Sequence, residues 1–339
     1  VRNGIPLGPL KGYAAQLVAR EAVHWLGDIR DPAKPFFLFV SFHEPHEPIA
    51  TDPQYQKLYP SDDPSYAPHH GNITQMDAAF GRLMQAIDEL NLRDDTFVLF
   101  TSDNGPAQTG FHPAGSAGPL RDKKGYIPDG GIRVPGIIRW PGKTRRGSVS
   151  DTPIIGTDIL PTFCALAGVK PPADRPLDGT SILPLFDGRP LNRPTPLYWH
   201  FYFASGRQKV AIRMGDWKLS AELAGPAPRQ RGNIDPADQH AIKTVKLGNM
   251  ELYNLKNDIA ESTDMKSAEP DRFDRMRKLL TAKYHEVQAE SPTWPAWEFA
   301  RSESQRIEWP SYRGTKRVPG RPAKIPASYQ DNPLIETIE

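Results

Sequence analysis

The chain of 339 residues sets 42 Lys and Arg against 40 Asp and Glu, a formal net charge of +2 with both signs interspersed. That balance offers no basic stripe for a phosphate backbone, so no nucleic-acid partner is expected. No apolar run is long enough to cross a membrane, and no membrane partner is expected either. The length suits one large α/β domain, or a large domain with a small appendage. The 36 Pro and 27 Gly fall between periodic segments rather than in repeats, which implies many ordered, irregular loops. The single cysteine, Cys164, sits in the apolar run Ile159 to Ala167 and reads as a buried core thiol. It has no intramolecular disulfide partner, so cysteine usage leaves the compartment open.

Gly12 to Leu26 spaces Ala15, Leu17, Val18, Ala22, Val23 and Leu26 as an amphipathic helix. After Asp31, Pro32 and Pro35 comes Phe36 to Phe42 (FFLFVSF), which reads as a strand buried on both faces. It runs into His43-Glu44-Pro45-His46-Glu47-Pro48, where proline ends any ladder and the imidazoles need partners. A loop-bonded His and a His in a reactive site are both compatible with that pattern. Thr51 to Pro68 lacks periodicity, and Gly71 to Leu90 is a helix with an apolar stripe of Ile73, Met76, Ala79, Phe80, Leu83, Ile87 and Leu90. Strand, loop, helix and strand together predict a βαβ crossover that brings the Phe36 and Phe97 strands into parallel pairing and makes His46 and Asp103 neighbours.

The stretch Phe97 to Trp140 carries most of the chemistry. Phe97 to Phe100 reads as a buried strand, and Ser102, Asp103, Asn104 and Gly105 lie past its carboxyl end, where ligands bind in open α/β sheets. Asp103 and Asn104 offer a carboxylate and an amide oxygen, the hard donors that Ca²⁺ or Mg²⁺ prefers; Asp-Asn-Gly is also ordinary turn chemistry. GPLRDKKGYIPDGGIRVP, residues 118–135, adds Arg121, Lys123, Lys124 and Arg133 around glycines. Each of these cations taken alone is better read as part of a solvated face. A metal-bearing Asp-Asn, a histidine-rich strand end and a basic glycine loop together would hold a tetrahedral oxyanion.

Further on, Val149 to Ile155 is extended, and a helix starting at Thr157 or Asp158 ends at Gly168. Leu177 to Gly188 reads as a turn with a short helix. Leu197 to Phe203, Lys209 to Arg213, Trp217 to Ala221 and Glu251 to Leu255 read as a small antiparallel sheet. Ala224 to Lys246 is a polar insertion, and Asp271 to Glu290 is a helix packed by Phe273, Met276, Leu279, Leu280, Tyr284 and Val287. The tail from Ser291 is rich in Pro, Arg and Lys and reads as irregular surface chain.

Taken jointly, HEPHEP after FFLFVSF, then TSDNG, then GPLRDKKG, then DGGIRVP closely resemble the type I, formylglycine-dependent sulfatases of the alkaline phosphatase superfamily. ELYNL and NDIAES, between Glu251 and Ser262, resemble that family's C-terminal signature. The resemblance covers about residues 1–290 and is to the C-terminal part of the family, in the style of arylsulfatase-like and N-acetylgalactosamine-6-sulfatase-like members. It implies an α/β fold with a mostly parallel sheet sandwiched by helices, and a smaller C-terminal α+β subdomain carrying an antiparallel sheet. The divisions expected are 1–190 for the core, 191–292 for the subdomain and 293–339 for the tail.

Carried over by position, Asp103 and Asn104 look like two ligands of the active-site Ca²⁺, with Mg²⁺ the other possibility. His46, in the Pro-His-x-Pro position, looks like the residue that contacts the sulfate ester and assists the leaving group. Lys124, rather than Lys123, looks like the lysine on a sulfate oxygen, and His43 and Glu44 lie where they could touch substrate. Asp129 stands where the family usually has Glu. The resemblance further implies a sulfate-ester substrate, from the style of the motifs a sulfated sugar, and a periplasmic or secreted location. The family's nucleophile, a formylglycine made from Cys or Ser in Cys/Ser-x-Pro-x-Arg, has no counterpart in this sequence. The expectation is therefore a sulfuric ester hydrolase whose 339 residues are inactive alone and whose partner would be the missing N-terminal half. A non-catalytic, sulfatase-derived binding protein and a phosphatase or phosphodiesterase of the same superfamily are the competing readings.

Overall fold

The structure, a computed structural model, describes residues 2, 7–8, 10–109, 112–225 and 236–291. The expected surface tail, 293–339, lies outside the described residues. Two compact units emerge. The described residues of the first fall within Val1–Arg93 and Gln108–Ala114, and those of the second within Asp94–Ala107 and Gly115–Phe299.

In the first unit, helix α1 (Ala14–His24) continues through a π turn at Trp25–Ile29. Its buried positions are Ala15, Ala19 and Ala22, one stripe of small side chains that lets a neighbouring backbone come close. Ala15 and Ala19 pack with Ala79, Phe42 and Met76. A short helix α2 (Pro53–Gln56) is capped by Asp52, whose carboxylate accepts from the Gln54 N–H at 3.0 Å. Helix α3 (Tyr66–Glu89) starts five residues before the Gly71 that periodicity suggests, because its first turns bury polar residues, His69, Asn72 and Gln75, ahead of the apolar Ala79, Leu83, Ala86 and Ile87. Phe36 to Phe42 belongs to no strand or sheet, and Phe37 and Phe39 are 68% and 79% exposed. The expected doubly buried strand, and its parallel pairing with the Phe97 strand, are therefore not formed among the described residues. A buried strand needs ladder partners and cover on both faces, which its own hydrophobicity does not supply.

In the second unit, β1 (Val98–Thr101) pairs antiparallel with β2 (Gly136–Arg139), and helix α4 (Asp129–Ile132) lies between them in sequence. Helix α5 (Ile159–Leu166) follows a 3₁₀ turn at Gly156–Asp158. The buried Asp158 holds that corner: its carboxylate takes both Arg193 nitrogens at 2.7 and 2.6 Å and the Ile155 and Thr180 N–H groups. Then β3 (Leu197–His200), β4 (Val210–Met214), β5 (Trp217–Ala224) and β6 (Lys246–Asn254) form one antiparallel sheet in sequence order. Helix α6 (Pro236–Thr244) occupies part of the polar insertion, and α7 (Pro270–Glu290) ends the described chain. Strand alternation sends Val210, Ile212, Leu219, Ala221 and Leu252 onto Met276, Leu280 and Tyr284 of α7, each at most 4% exposed. Ala211, on the other face of β4, meets Ile127 and Ala204. This sheet is thus covered on both faces, and that second face positions the site.

Candidate active site

Asp103, Asn104 and Lys124 come together in the second unit through backbone alone. The turn Ser102–Gly105 leaves β1, and the Gly105 N–H donates to Gly131 O at 2.9 Å. The Lys124 N–H donates to Pro106 O at 2.9 Å, so the Asp-Asn turn and the lysine loop are cross-bonded. Approach is close enough that a Cβ on Gly105 would lie 1.9 Å from Gly130 O, and one on Gly130 would lie 2.2 Å from Asp122 O. Only glycine fits there. Asp103 is exposed, and Asn104 Nδ2 donates to Gly105 O at 2.9 Å, which commits its amide nitrogen and leaves Oδ1 as the donor for a cation. Two hard oxygens suit Ca²⁺ or Mg²⁺ but are a minority of the six or more that Ca²⁺ takes. Among the described residues no cluster of three or more His, Cys, Asp or Glu could hold a metal.

Beneath the lysine loop lies a buried charge cluster that the sequence did not announce. Lys218 of β5 is wholly buried, and its Nζ donates to Asp129 Oδ1 at 2.7 Å, Glu261 Oε1 at 3.0 Å and Ile127 O at 3.0 Å. Glu261 Oε1 also accepts the Asp129 N–H at 2.6 Å. Burial pushes the Glu261 carboxyl up, and Lys218 opposes that by favouring the charged form. Asp129 Oδ2 accepts no hydrogen bond, but the guanidinium groups of Arg133 and Arg213 each stand 4.0 Å from it. Arg121, one of the cations expected to face a ligand, instead donates to Tyr253 Oη and to Glu261 O, both at 3.0 Å. Arg121 and Arg133 therefore serve this anchoring.

The histidine-rich segment belongs to the first unit. His46 is half exposed, and its Nδ1 lies 2.7 Å from Glu47 O; a carbonyl only accepts, so Nδ1 carries the proton of the neutral ring and Nε2 carries its lone pair. Glu47 Oε2 stands 3.7 Å from the same Nδ1 and takes a 2.6 Å bond from His112 Nε2. Its carboxyl is held below the usual range: burial works to raise it, and its own backbone N–H and His112 outweigh that. His69 packs edge-on to His112 at 5.8 Å, and desolvation, helped by His70 and His112, pushes it down to about 4. His43 is exposed with its ring 5.7 Å from that of His46. Glu44 is not at a surface that could touch substrate: it is 6% exposed and accepts from the Ala15 N–H at 2.8 Å and Gln75 Nε2 at 3.0 Å. Glu47 and His112 escaped sequence reading because 65 positions separate them and neither lies in a periodic pattern.

A family model described as Sulfatase matches residues 2–169. A second, described as N-sulphoglucosamine sulphohydrolase, C-terminal, matches residues 120–221. Arylsulfatase A of Homo sapiens is 30% identical over 262 residues, covering 76% of this chain and 50% of its own length. Over residues 2–169 the chain belongs to the sulfatase family. N-acetylgalactosamine-6-sulfatase of Mus musculus is 32% identical over 206 residues, covering 60% of this sulfatase chain and 37% of its own. The crystal structure of Ps i-CgsB in complex with k-i-k-neocarrahexaose is similar with a TM-score of 0.69 at 25% identity, covering 86% of this chain and 58% of that one. PsFucS1 sulfatase from Pseudoalteromonas sp. shares the fold with a TM-score of 0.65 at 24% identity, covering 84% and 54%. These neighbours bear out the α/β class for the sulfatase chain. It spans about half the length of the curated relatives it matches. The second family model runs from the lysine loop into β5, the two parts that Lys218 joins.

Proposed function

We propose that the protein of which these residues are the described part is a sulfuric ester hydrolase acting on sulfated carbohydrates. The observation that supports it most is the cross-bonding of the Asp103-Asn104 turn to the Lys124 loop by Gly105 to Gly131 and Lys124 to Pro106. That arrangement puts two oxygen donors and an ammonium on one scaffold, which is what a tetrahedral oxyanion requires. Asp103 and Asn104 would hold Ca²⁺, or Mg²⁺, which when bound withdraws charge from sulfate oxygens. Lys124 binds a sulfate oxygen as a point charge. His46 gives a proton from Nε2 to the departing alcohol oxygen, with Glu47 Oε2 facing the ring's other nitrogen while it carries two protons. His43, whose ring centre lies 5.7 Å from that of His46, would contact the same substrate.

The formylglycine motif is absent from these 339 residues, so they are proposed to be inactive without a segment that supplies the nucleophile. The carbohydrate reading draws on relatives named N-acetylgalactosamine-6-sulfatase and on the oligosaccharide in the Ps i-CgsB structure. The test is hydrolysis of matched aryl sulfate and aryl phosphate esters, then of sulfated oligosaccharides, by the complete natural protein. A kcat/KM for aryl sulfate that falls about 100-fold or more in Lys124→Ala is expected. Preferred phosphate turnover would install the phosphatase reading, and tight binding of sulfated sugar without turnover the binding-protein reading.

A further inference from the structure

The lysine loop is held from a side that none of the motifs includes. We propose that the β3–β4 loop, residues 201–209, is a latch that positions Lys124 for its sulfate oxygen; this rests on the function proposed above. The loop is closed on itself by Phe201 N–H to Lys209 O at 2.8 Å and Ala204 N–H to Phe201 O at 3.0 Å. Lys209 Nζ reaches back to Gly206 O at 2.9 Å and to Ala204 O, which converts a hairpin connection into a fixed shape. That shape meets the lysine loop at successive residues. The Ser205 N–H donates to Gly125 O at 2.7 Å. Gly206, at φ 74°, lies where a Cβ would stand 3.2 Å from the Tyr126 ring, and Ala204 packs on Ile127.

Lys124 is thus gripped twice. Its own N–H is bonded to Pro106 on the Asp-Asn side, and the carbonyl of the next residue is bonded to Ser205 on the subdomain side. Gly125 sits at φ 87°, a conformation that swings readily when released, so the second grip sets where the Lys124 side chain begins. A displacement of about 1 Å in a charged binding group is enough to lose much of its contribution. Lys218 anchors the loop lower down, at Ile127 and Asp129, and leaves residues 124–126 to the latch. Ser205, Gly206 and Lys209 are accordingly positioning residues, acting through Lys124.

Two measurements test the latch. Amide exchange on the 339-residue chain should show Ser205 protected to the degree of the β4 amides; exchange at the rate of an open loop would overturn the proposal. In the complete protein, Ser205→Pro removes the donor and should raise KM for an aryl sulfate and Ki for inorganic sulfate together, by about tenfold, with kcat little changed. Ser205→Ala keeps the N–H and should restore wild-type values. Lys209→Met, remote from Lys124, should raise both constants by a smaller factor and covers the case in which the proline variant does not fold. A drop in melting temperature with KM and Ki unchanged would make the loop merely structural. Absence of any turnover by the wild-type protein would sink the proposed function while leaving the exchange result to decide the latch.

Discussion

The lysine loop and the histidine segment are both irregular, yet they are held by different physics. Residues 102–106 and 121–131 are fixed by backbone: N–H groups of Gly105, Lys124 and Gly130 all find carbonyls, and Gly105, Gly130 and Gly131 stand where a Cβ would strike neighbouring backbone. Residues 43–52 are fixed by side chains, with Gln75 bridging Glu44 Oε1, Ala50 O and the Asp52 N–H, and Asn72 bonding Ala50 O. The first arrangement satisfies its polar groups nearly completely. The second leaves Glu44 Oε2, Asn72 Oδ1 and His69 Nδ1 buried without hydrogen-bond partners. A backbone lattice resists substitution of the residues that pack around it, whereas a side-chain network depends on each member and on pH.

Four experiments sharpen or break that contrast. The largest effect is expected from Lys218→Met, which strands Asp129 and Glu261 without their shared cation and should cost about 3–5 kcal/mol in urea unfolding. A loss below about 1 kcal/mol would mean that the backbone holds the lysine loop unaided.

Next comes pH. His69 in the first unit and His200 in the second are each pushed from 6.5 down to about 4, in both cases chiefly by desolvation. The native rings stay neutral where the unfolded ones take up protons, so the unfolded state binds more protons between those values. Stability is therefore full above pH 6.5 and falls as pH drops towards 4, by about 3 kcal/mol at most for each ring. Denaturant titrations at pH 7 and pH 5 should show the loss, and His69→Phe should remove the part that belongs to the first unit.

Gln75→Ala removes a donor from Glu44 and an acceptor from the Asp52 N–H, and should cost about 1–3 kcal/mol. Its signature would be faster proteolysis at residues 43–52 with residues 121–131 unaffected. The smallest effect is expected for Arg272→Ala, whose guanidinium stacks 4.3 Å from the Trp217 ring at the surface, at about 0.5–1 kcal/mol in the same unfolding assay.

Legibility in the sequence follows the range of the interactions involved. Helix α7 and strands β3 to β6 were readable because their period is local: Val210 and Ile212, or Met276, Leu280 and Tyr284, repeat at spacings that the chain itself enforces. The Asp103-Asn104 turn was readable because it follows an apolar strand directly. Phe36 to Phe42 misled because hydrophobicity reports what a segment would bury, and sheet membership depends on partners. Lys218 reads as an ordinary polar position on an alternating strand, and its two carboxylate partners lie 89 and 43 positions away.

By itself, then, the sequence determined helices α5 and α7 and the sheet β3 to β6 of the second unit, the family, and the residue kinds available for oxyanion chemistry. Only the tertiary structure decided that Glu44 is buried support, that Arg121 is committed to Tyr253 and Glu261, and that Lys124 is gripped between Pro106 and Ser205. The reason is physical. Period and turn chemistry act over a few residues, whereas burial and charge compensation are set by groups dozens of positions apart that meet only when the chain is folded.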